Sequence, residues 1–176
     1  GNHSLFVAEN GARVTAADYS MAALEVVMQR AKERGLADLI STVQVDFEDF
    51  VLPDQKFDLV IDRLSVTHTS GKYAQDVYKK LYGSLNDGGV ILSCMFSMGH
   101  THKDFGYYDE SRDIWIGFSD GIFQDLLAAN FYNKGDQAGS LPSNGVGMTL
   151  SLYPVMSIKC IDTSPPVPSR FDLFCL

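Results

Sequence analysis

Residues 1–20, GNHSLFVAENGARVTAADYS, decide how the rest of the chain is read. A lone glycine and a short polar step (Gly1, Asn2, His3, Ser4) lead into a compact apolar helix pattern, Leu5, Phe6 and Ala8, closed by Gly11. A buried-strand pattern follows from Ala12 to Ala17 and stops on an acid, Asp18. A helix start followed by a strand ending in a carboxylate is the downstream half of a βαβ nucleotide site. There, backbone N–H groups at the helix start receive the negative end of a ligand, and the acid takes two ribose hydroxyls. The upstream half, an apolar strand with the first glycines of a Gly-rich turn, does not precede Gly1, and the chain has no initiator Met. The central first strand of the sheet is therefore expected to be missing. Residues upstream of Gly1 are expected to supply it, and a permuted arrangement with RFDLFCL in that place is the second option.

Outward from this stretch, strands and helices alternate. Ser20 is placed to cap a helix from Met21 to about Arg34, with Leu24, Val27, Met28 and Ala31 on one face and Gly35 as its stop. Ser41 to Phe47 reads as a strand, FEDFVLPDQK as a polar loop, and Phe57 to Asp62 (FDLVID) as a strongly apolar strand. Tyr73 to Leu85 reads as a helix stopped by Asn-Asp-Gly-Gly, and Gly89 to Phe96 as another buried strand. Short connections between such elements predict an α/β fold, a three-layer, doubly wound, mostly parallel sheet. Residues 97–117 carry histidines and aromatics without a sustained period and read as a substrate lid or loop insertion. Ser119 is expected to cap a helix through about Asn130. A Gly/Ser/Asn-rich stretch (Asn133 to Gly147) then leads to a strand around Val155 to Ile161. TSPPVPS reads as a turn and RFDLFCL as a final strand, antiparallel to its predecessor because a parallel pair needs a longer crossover. The 176 residues are expected to form one domain, incomplete at its N-terminus.

Composition limits the function classes. Apolar residues make up 45% of the chain and charged residues 20%, as in a folded globular protein. A net charge of −8 argues against non-specific binding of nucleic acid or an anionic membrane surface. No apolar run approaches a membrane span. Three cysteines, Cys94, Cys160 and Cys175, without a C-x-x-C pair favour a reducing compartment, hence the cytoplasm.

Taken in order, these motifs resemble a class I S-adenosylmethionine-dependent methyltransferase, and more narrowly the tellurite-resistance and thiol-methylating small-molecule group. Gly1 matches the last glycine of that family's nucleotide loop, and GARVTAADYS its second strand and acid. VDFED stands where the adenine-contacting acid occurs, and FDLVID where the fourth strand occurs. LNDGGVIL matches the Leu-x-Pro-Gly-Gly turn before the fifth strand, with Asp87 in place of the proline. The resemblance implies S-adenosyl-L-methionine as cofactor and methyl transfer to a small-molecule acceptor. It implies that Gly1 approaches the methionine portion, that Asp18 holds the ribose with Tyr19 beside the adenine, and that Asp46 and the backbone of Phe47 contact the ring. It also implies that Asp62 lies near the sulfonium and the methionine amine. The sulfonium is already an activated leaving group, so such a protein mainly supplies orientation and a dry approach.

For the acceptor, His68 follows the fourth strand at the edge where α/β sheets bind ligands, and is the candidate base for a thiol or hydroxyl. His100, His102, Tyr107 and Tyr108 are the candidate acceptor-binding residues. His100-x-His102 with Asp104 lacks a third well-spaced strong ligand, so no metal is expected. Each assignment has a plainer counterpart. Asp18 as a helix cap, Asp46 as a solvated loop acid, Asp62 paired with Arg63, and His68 bonded to its own loop are all compatible with the same residues. Two other functions share parts of the pattern, a non-catalytic adenosylmethionine-binding module and a nucleotide-dependent Rossmann oxidoreductase. The latter lacks support from any Tyr-x-x-x-Lys pair. Nucleic-acid amino-methyltransferases place Asn/Asp-Pro-Pro-aromatic after the fourth strand, where this chain reads Asp62-Arg63-Leu64-Ser65.

Overall fold

Leu5 and Ala8 fall three residues apart and bury one side of a short helix, α1 (Asn2–Glu9), in a computed structural model that describes residues 1–133, 149–152 and 171–176. Strand β1 (Arg13–Asp18) follows, buried at its four central positions and exposed only at its ends. Helix α2 (Met21–Glu33) starts where Ser20 Oγ accepts the Ala23 N–H at 3.3 Å. Strand β2 (Ile40–Gln44) lies outside β1 and parallel to it. After a loop come β3 (Phe57–Arg63), α3 (Gly71–Gly83) capped by Ser70, and β4 (Leu85–Ser97). The Asn-Asp-Gly-Gly segment is not a free turn. It opens β4, and the pairing with β3 shifts register between Phe57 and Leu59 there.

The sheet order is β2-β1-β10-β3-β4-β8, with β9 (Thr149–Leu152) also on β4. Strand β10 (Asp172–Cys175) corrects two expectations at once. It is not an antiparallel edge strand; it runs parallel to both β1 and β3, and it occupies the central place that was expected to stand empty. Leu173, Phe174 and Cys175 are all buried. Leu173 and Cys175 pack with Leu5, Ala8, Val27 and Ala31 under α1 and α2, while Phe174 faces Val77, Tyr78 and Leu81 of α3 on the other side. A strand covered on both faces is continuously apolar and does not alternate, as this segment is. Helices thus cover both faces of a mostly parallel sheet, the doubly wound architecture expected.

The region after β4 departs from expectation. Thr101–Phe105 forms a 3-10 turn, and β5 (Tyr107–Asp109), β6 (Ile114–Ile116) and β7 (Ala128–Ala129) form a small antiparallel sheet. The helix expected from Ser119 to Asn130 is absent. In its place are a single 3-10 turn, Gly121–Phe123, and strands β7 and β8 (Phe131–Tyr132). Gly121 sits at φ +77°, outside the helical region, and the apolar stripe is not buried: Ile122 and Leu127 are 64% and 94% exposed. Only Phe123 is fully used, in an aromatic cluster with Phe96, Phe118 and Phe131. The strand expected around Val155 to Ile161, the TSPPVPS turn and all but the first residue of the Asn133–Gly147 stretch lie outside the described residues. No helix among the described residues is long and apolar enough to cross a membrane.

Candidate functional site

In an open α/β sheet the ligand crevice forms at the strand C-termini, where connections diverge to opposite sides. Here β1 leads outward through α2 to β2, β3 leads outward the other way through α3 to β4, and β10 lies between them. A cavity of about 210 Å3 opens at that place. Gly1, His3, Asp18, Arg63, Ser65 and Leu176 are among its walls.

Asp18 ends β1 at the cavity. Its Oδ1 accepts the Ser20 N–H at 2.8 Å, which fixes the turn into α2 and leaves the exposed carboxylate at the rim. The plainer capping role is thus real, and it orients the acid. Across from it, α1 begins without a side-chain cap, so its first-turn N–H groups are available at the cavity. A Cβ on Gly1 would lie 2.4 Å from Val27 Cγ2, so a glycine is what lets the start of α1 rest against α2. His3 is half-buried beside it. Burial, then the Arg63 guanidinium, hold its imidazole below the usual range. The cavity therefore offers an acid on one side and N–H donors with a guanidinium on the other. That donor set fits a ligand with a diol at one end and a carboxylate at the other, as in S-adenosylmethionine.

Asp62 is not part of these walls. It is completely buried, and its carboxylate is engaged by four donors. Oδ1 accepts the N–H groups of Ser65 at 3.0 Å and Val66 at 3.3 Å, and Oδ2 accepts the hydroxyls of Tyr78 and of Ser93, the latter at 2.9 Å. Burial raises its carboxyl above the ordinary range, and these bonds oppose that rise. The structure places Asp62, expected beside a sulfonium, inside the core and off the cavity walls. Neither does Asp62 pair with Arg63. Neighbouring strand residues face opposite sides, and Arg63 turns outward to the cavity.

The adenine assignments do not gather at the cavity. Tyr19 is 71% exposed beside Asp18. Asp46 is exposed and accepts the Glu48 N–H at 2.9 Å in a local turn, while half-buried Phe47 packs on Phe50 with ring centroids 5.9 Å apart.

His68 lies on the 3-10 turn Val66–His68 at the same end of the sheet, and its N–H reaches the carbonyl of Ser65, a cavity residue, at 3.2 Å. Its Nδ1 is 3.0 Å from the Ala128 carbonyl oxygen of β7, and its exposed ring stands edge-on to Phe96. His100 and His102 pack nearby, with centroids 5.4 Å apart. Nδ1 of His100 accepts the His102 N–H at 3.2 Å, and Nδ1 of His102 accepts the Ile122 N–H at 3.0 Å. Both rings are therefore neutral at Nδ1 and present Nε2–H donors. Burial, then His102, lowers the His100 imidazole. Tyr107 and Tyr108 sit on the outer strand of the small sheet, both exposed; Tyr108 donates to Asp113 Oδ1. Among the described residues no three His, Cys, Asp or Glu side chains group as a metal site.

Sequence reasoning missed His3, Arg63 and the end of β10. For Arg63 the signal was present, since period-two alternation after a buried Asp62 forces it outward. A family model described as a methyltransferase domain matches residues 1–89, the part of the chain that builds Gly1, Asp18 and the β3 turn. Searches of curated proteins and of solved structures found no match.

Proposed function

Because the chain belongs to this methyltransferase-domain family, we propose that it transfers a methyl group from S-adenosylmethionine to a small nucleophile in the cytoplasm, a thiol or an oxyanion as in the tellurite- and thiol-methylating group. The observation that carries this reading is the cavity at the divergence of β1 and β3, with Asp18 on one wall and the start of α1 on another. When bound, the cofactor supplies an activated methyl group and its own thioether leaving group.

The chain's residues then have these roles. Asp18 accepts two ribose hydroxyls, which orients the nucleoside end. First-turn N–H groups of α1, with His3 and Arg63, take the carboxylate of the methionine end. Tyr19, Asp46 and Phe47 are assigned to the adenine only through the family resemblance. His68 removes the proton of the acceptor S–H or O–H at Nε2. Residues 97–117, with His100, His102, Tyr107 and Tyr108, cover the acceptor and exclude water as a lid.

Calorimetry with S-adenosylhomocysteine tests the site first. Asp18→Ala should weaken binding by about 1.5–3 kcal/mol, the worth of charge-assisted hydrogen bonds to the ribose. Unchanged affinity would remove Asp18 from the site. Methyl transfer to a panel of sulfide, 2-mercaptoethanol, selenite and tellurite then tests catalysis. Binding without transfer to any of them would favour the non-catalytic binding module.

A further inference from the structure

The base role given to His68 requires one ring nitrogen to keep a lone pair. A neutral imidazole carries a single N–H, and the partner of one nitrogen decides which. His68 Nδ1 faces a carbonyl oxygen, that of Ala128, at 3.0 Å. A carbonyl only accepts, so Nδ1 bears the hydrogen and Nε2 bears the lone pair. In water the Nε2–H form is the commoner one, so the fold must hold His68 in the other.

What holds Ala128 against His68 is Asn130. This residue is 6% exposed, and its side chain lies between two backbone segments. Its Nδ2 donates to the carbonyls of Thr69 at 3.0 Å and of Asp113 at 2.9 Å, and its backbone N–H donates to the carbonyl of Thr67 at 2.6 Å. Thr67 and Thr69 flank His68 on either side in the chain. Asp113 belongs to the turn between β5 and β6, and β6 pairs with β7 through Ile116 and Ala128. Asn130 thus clamps the β3 turn to the small antiparallel sheet at the point where Ala128 meets His68. Facing two carbonyl oxygens, its amide must present NH2, and no carboxylate can replace it without repulsion.

We propose that Asn130 is a positioning residue that fixes His68 as the Nδ1–H tautomer, through Ala128, and so leaves Nε2 as the base. This rests on the methyl-transfer reading for its purpose and on the hydrogen bonds alone for its structure.

Long-range 1H–15N correlation spectra of the full, uniformly 15N-labelled chain at pH 8 report the tautomer of each histidine, with His68→Gln assigning the signal. The wild-type protein should show His68 with pyrrole-type Nδ1 and pyridine-type Nε2. In Asn130→Asp the ratio of Nδ1–H to Nε2–H should fall about fivefold, the effect of losing one neutral hydrogen bond. Asn130→Ser, which keeps one donor, should lie between the two and serves if Asn130→Asp does not fold. A wild-type His68 in the Nε2–H form, or a folded variant with an unchanged ratio, overturns the proposal. Affinity for S-adenosylhomocysteine, measured alongside, separates the two readings. Failure of the wild-type protein to bind it removes the base role, whereas a wrong tautomer with binding intact overturns the positioning alone.

Discussion

Asp62 Oδ2, Tyr78 OH and Ser93 Oγ are in mutual hydrogen-bonding contact, and all three residues are buried. Two hydroxyl hydrogens satisfy only two sides of this triangle, and a proton taken up by the carboxyl would complete the third. Burial acts in the same direction and raises the Asp62 carboxyl above its ordinary value. The folded protein then holds this proton more tightly than the unfolded chain. Stability from this source is fully present below the ordinary carboxylate value and is lost as pH rises through the raised one. Asp62→Asn cannot titrate. Urea denaturation across the acid range should therefore show wild type gaining on the variant as pH falls through that window. The opposite trend would mean that the carboxylate is held as an anion. Tyr78, pushed well above its usual range by burial and by Asp62, stays a neutral donor throughout. The sequence placed Asp62 at a strand end but could not tell a cofactor acid from a core acid. That distinction lies in Tyr78 and Ser93, which are 16 and 31 residues away from it.

At the level of elements, legibility followed local chemistry. Helix α2 was readable because its start and stop are written in single residues, Ser20 and Gly35, and its apolar face is the face that is buried. The segment from Ser119 shows the same apolar spacing and is not a helix, because Gly121 adopts φ +77° and, of the apolar stripe Ile122, Phe123, Leu126 and Leu127, only Phe123 is fully buried. The proposed lid depends on that glycine. A Cβ at position 121 would lie 2.6 Å from His102 Nδ1, the atom that accepts the Ile122 N–H. Gly121→Ala combines a strained backbone with that collision and should cost about 1–3 kcal/mol locally. Limited proteolysis should cut within residues 97–117 several-fold faster in the variant. Equal rates would mean that His102 and Gly121 do not support this region. Asn130 escaped detection for a different reason. It acts through contacts with segments remote in sequence, Thr67 and Thr69 on one side and Asp113 on the other, and no local pattern encodes such contacts.

At the level of the whole molecule, the sheet is centred on four residues. Arg13 grips Asp172 with two bonds, Nε to Oδ1 at 2.9 Å and Nη2 to Oδ2 at 3.1 Å, and Asp58 Oδ2 accepts the Asp172 N–H at 2.9 Å. These polar contacts set the register from which Leu173, Phe174 and Cys175 enter the core. Phe174 is fully buried against Phe57, with centroids 5.0 Å apart. Phe174→Ala should cost about 3–5 kcal/mol by chemical denaturation, as large aromatic truncations in a core do. A loss under about 1 kcal/mol would place β10 outside the core. The doubly wound architecture could be read from FDLVID and its neighbours, because their order and apolar runs are local. The place of β10 could not. Its short proline-rich approach suggested an antiparallel neighbour, whereas its unbroken apolar run, so like that of β3, was the sign of a strand covered on both faces.

That central strand also has a consequence for a chain that is still being made. A ribosome releases β1, β2, β3 and β4 long before β10, since Arg13 and its partner Asp172 are 159 residues apart. Until then β1 and β3 each carry an open edge, and the apolar faces of α1, α2 and α3 have an incomplete sheet to rest on. Nascent chains stalled after residue 133 should accordingly be degraded by protease and retained by chaperones. Chains released with residues 171–176 exposed should become resistant in a single step, so that synthesis as far as β10 precedes a stable core of this sheet.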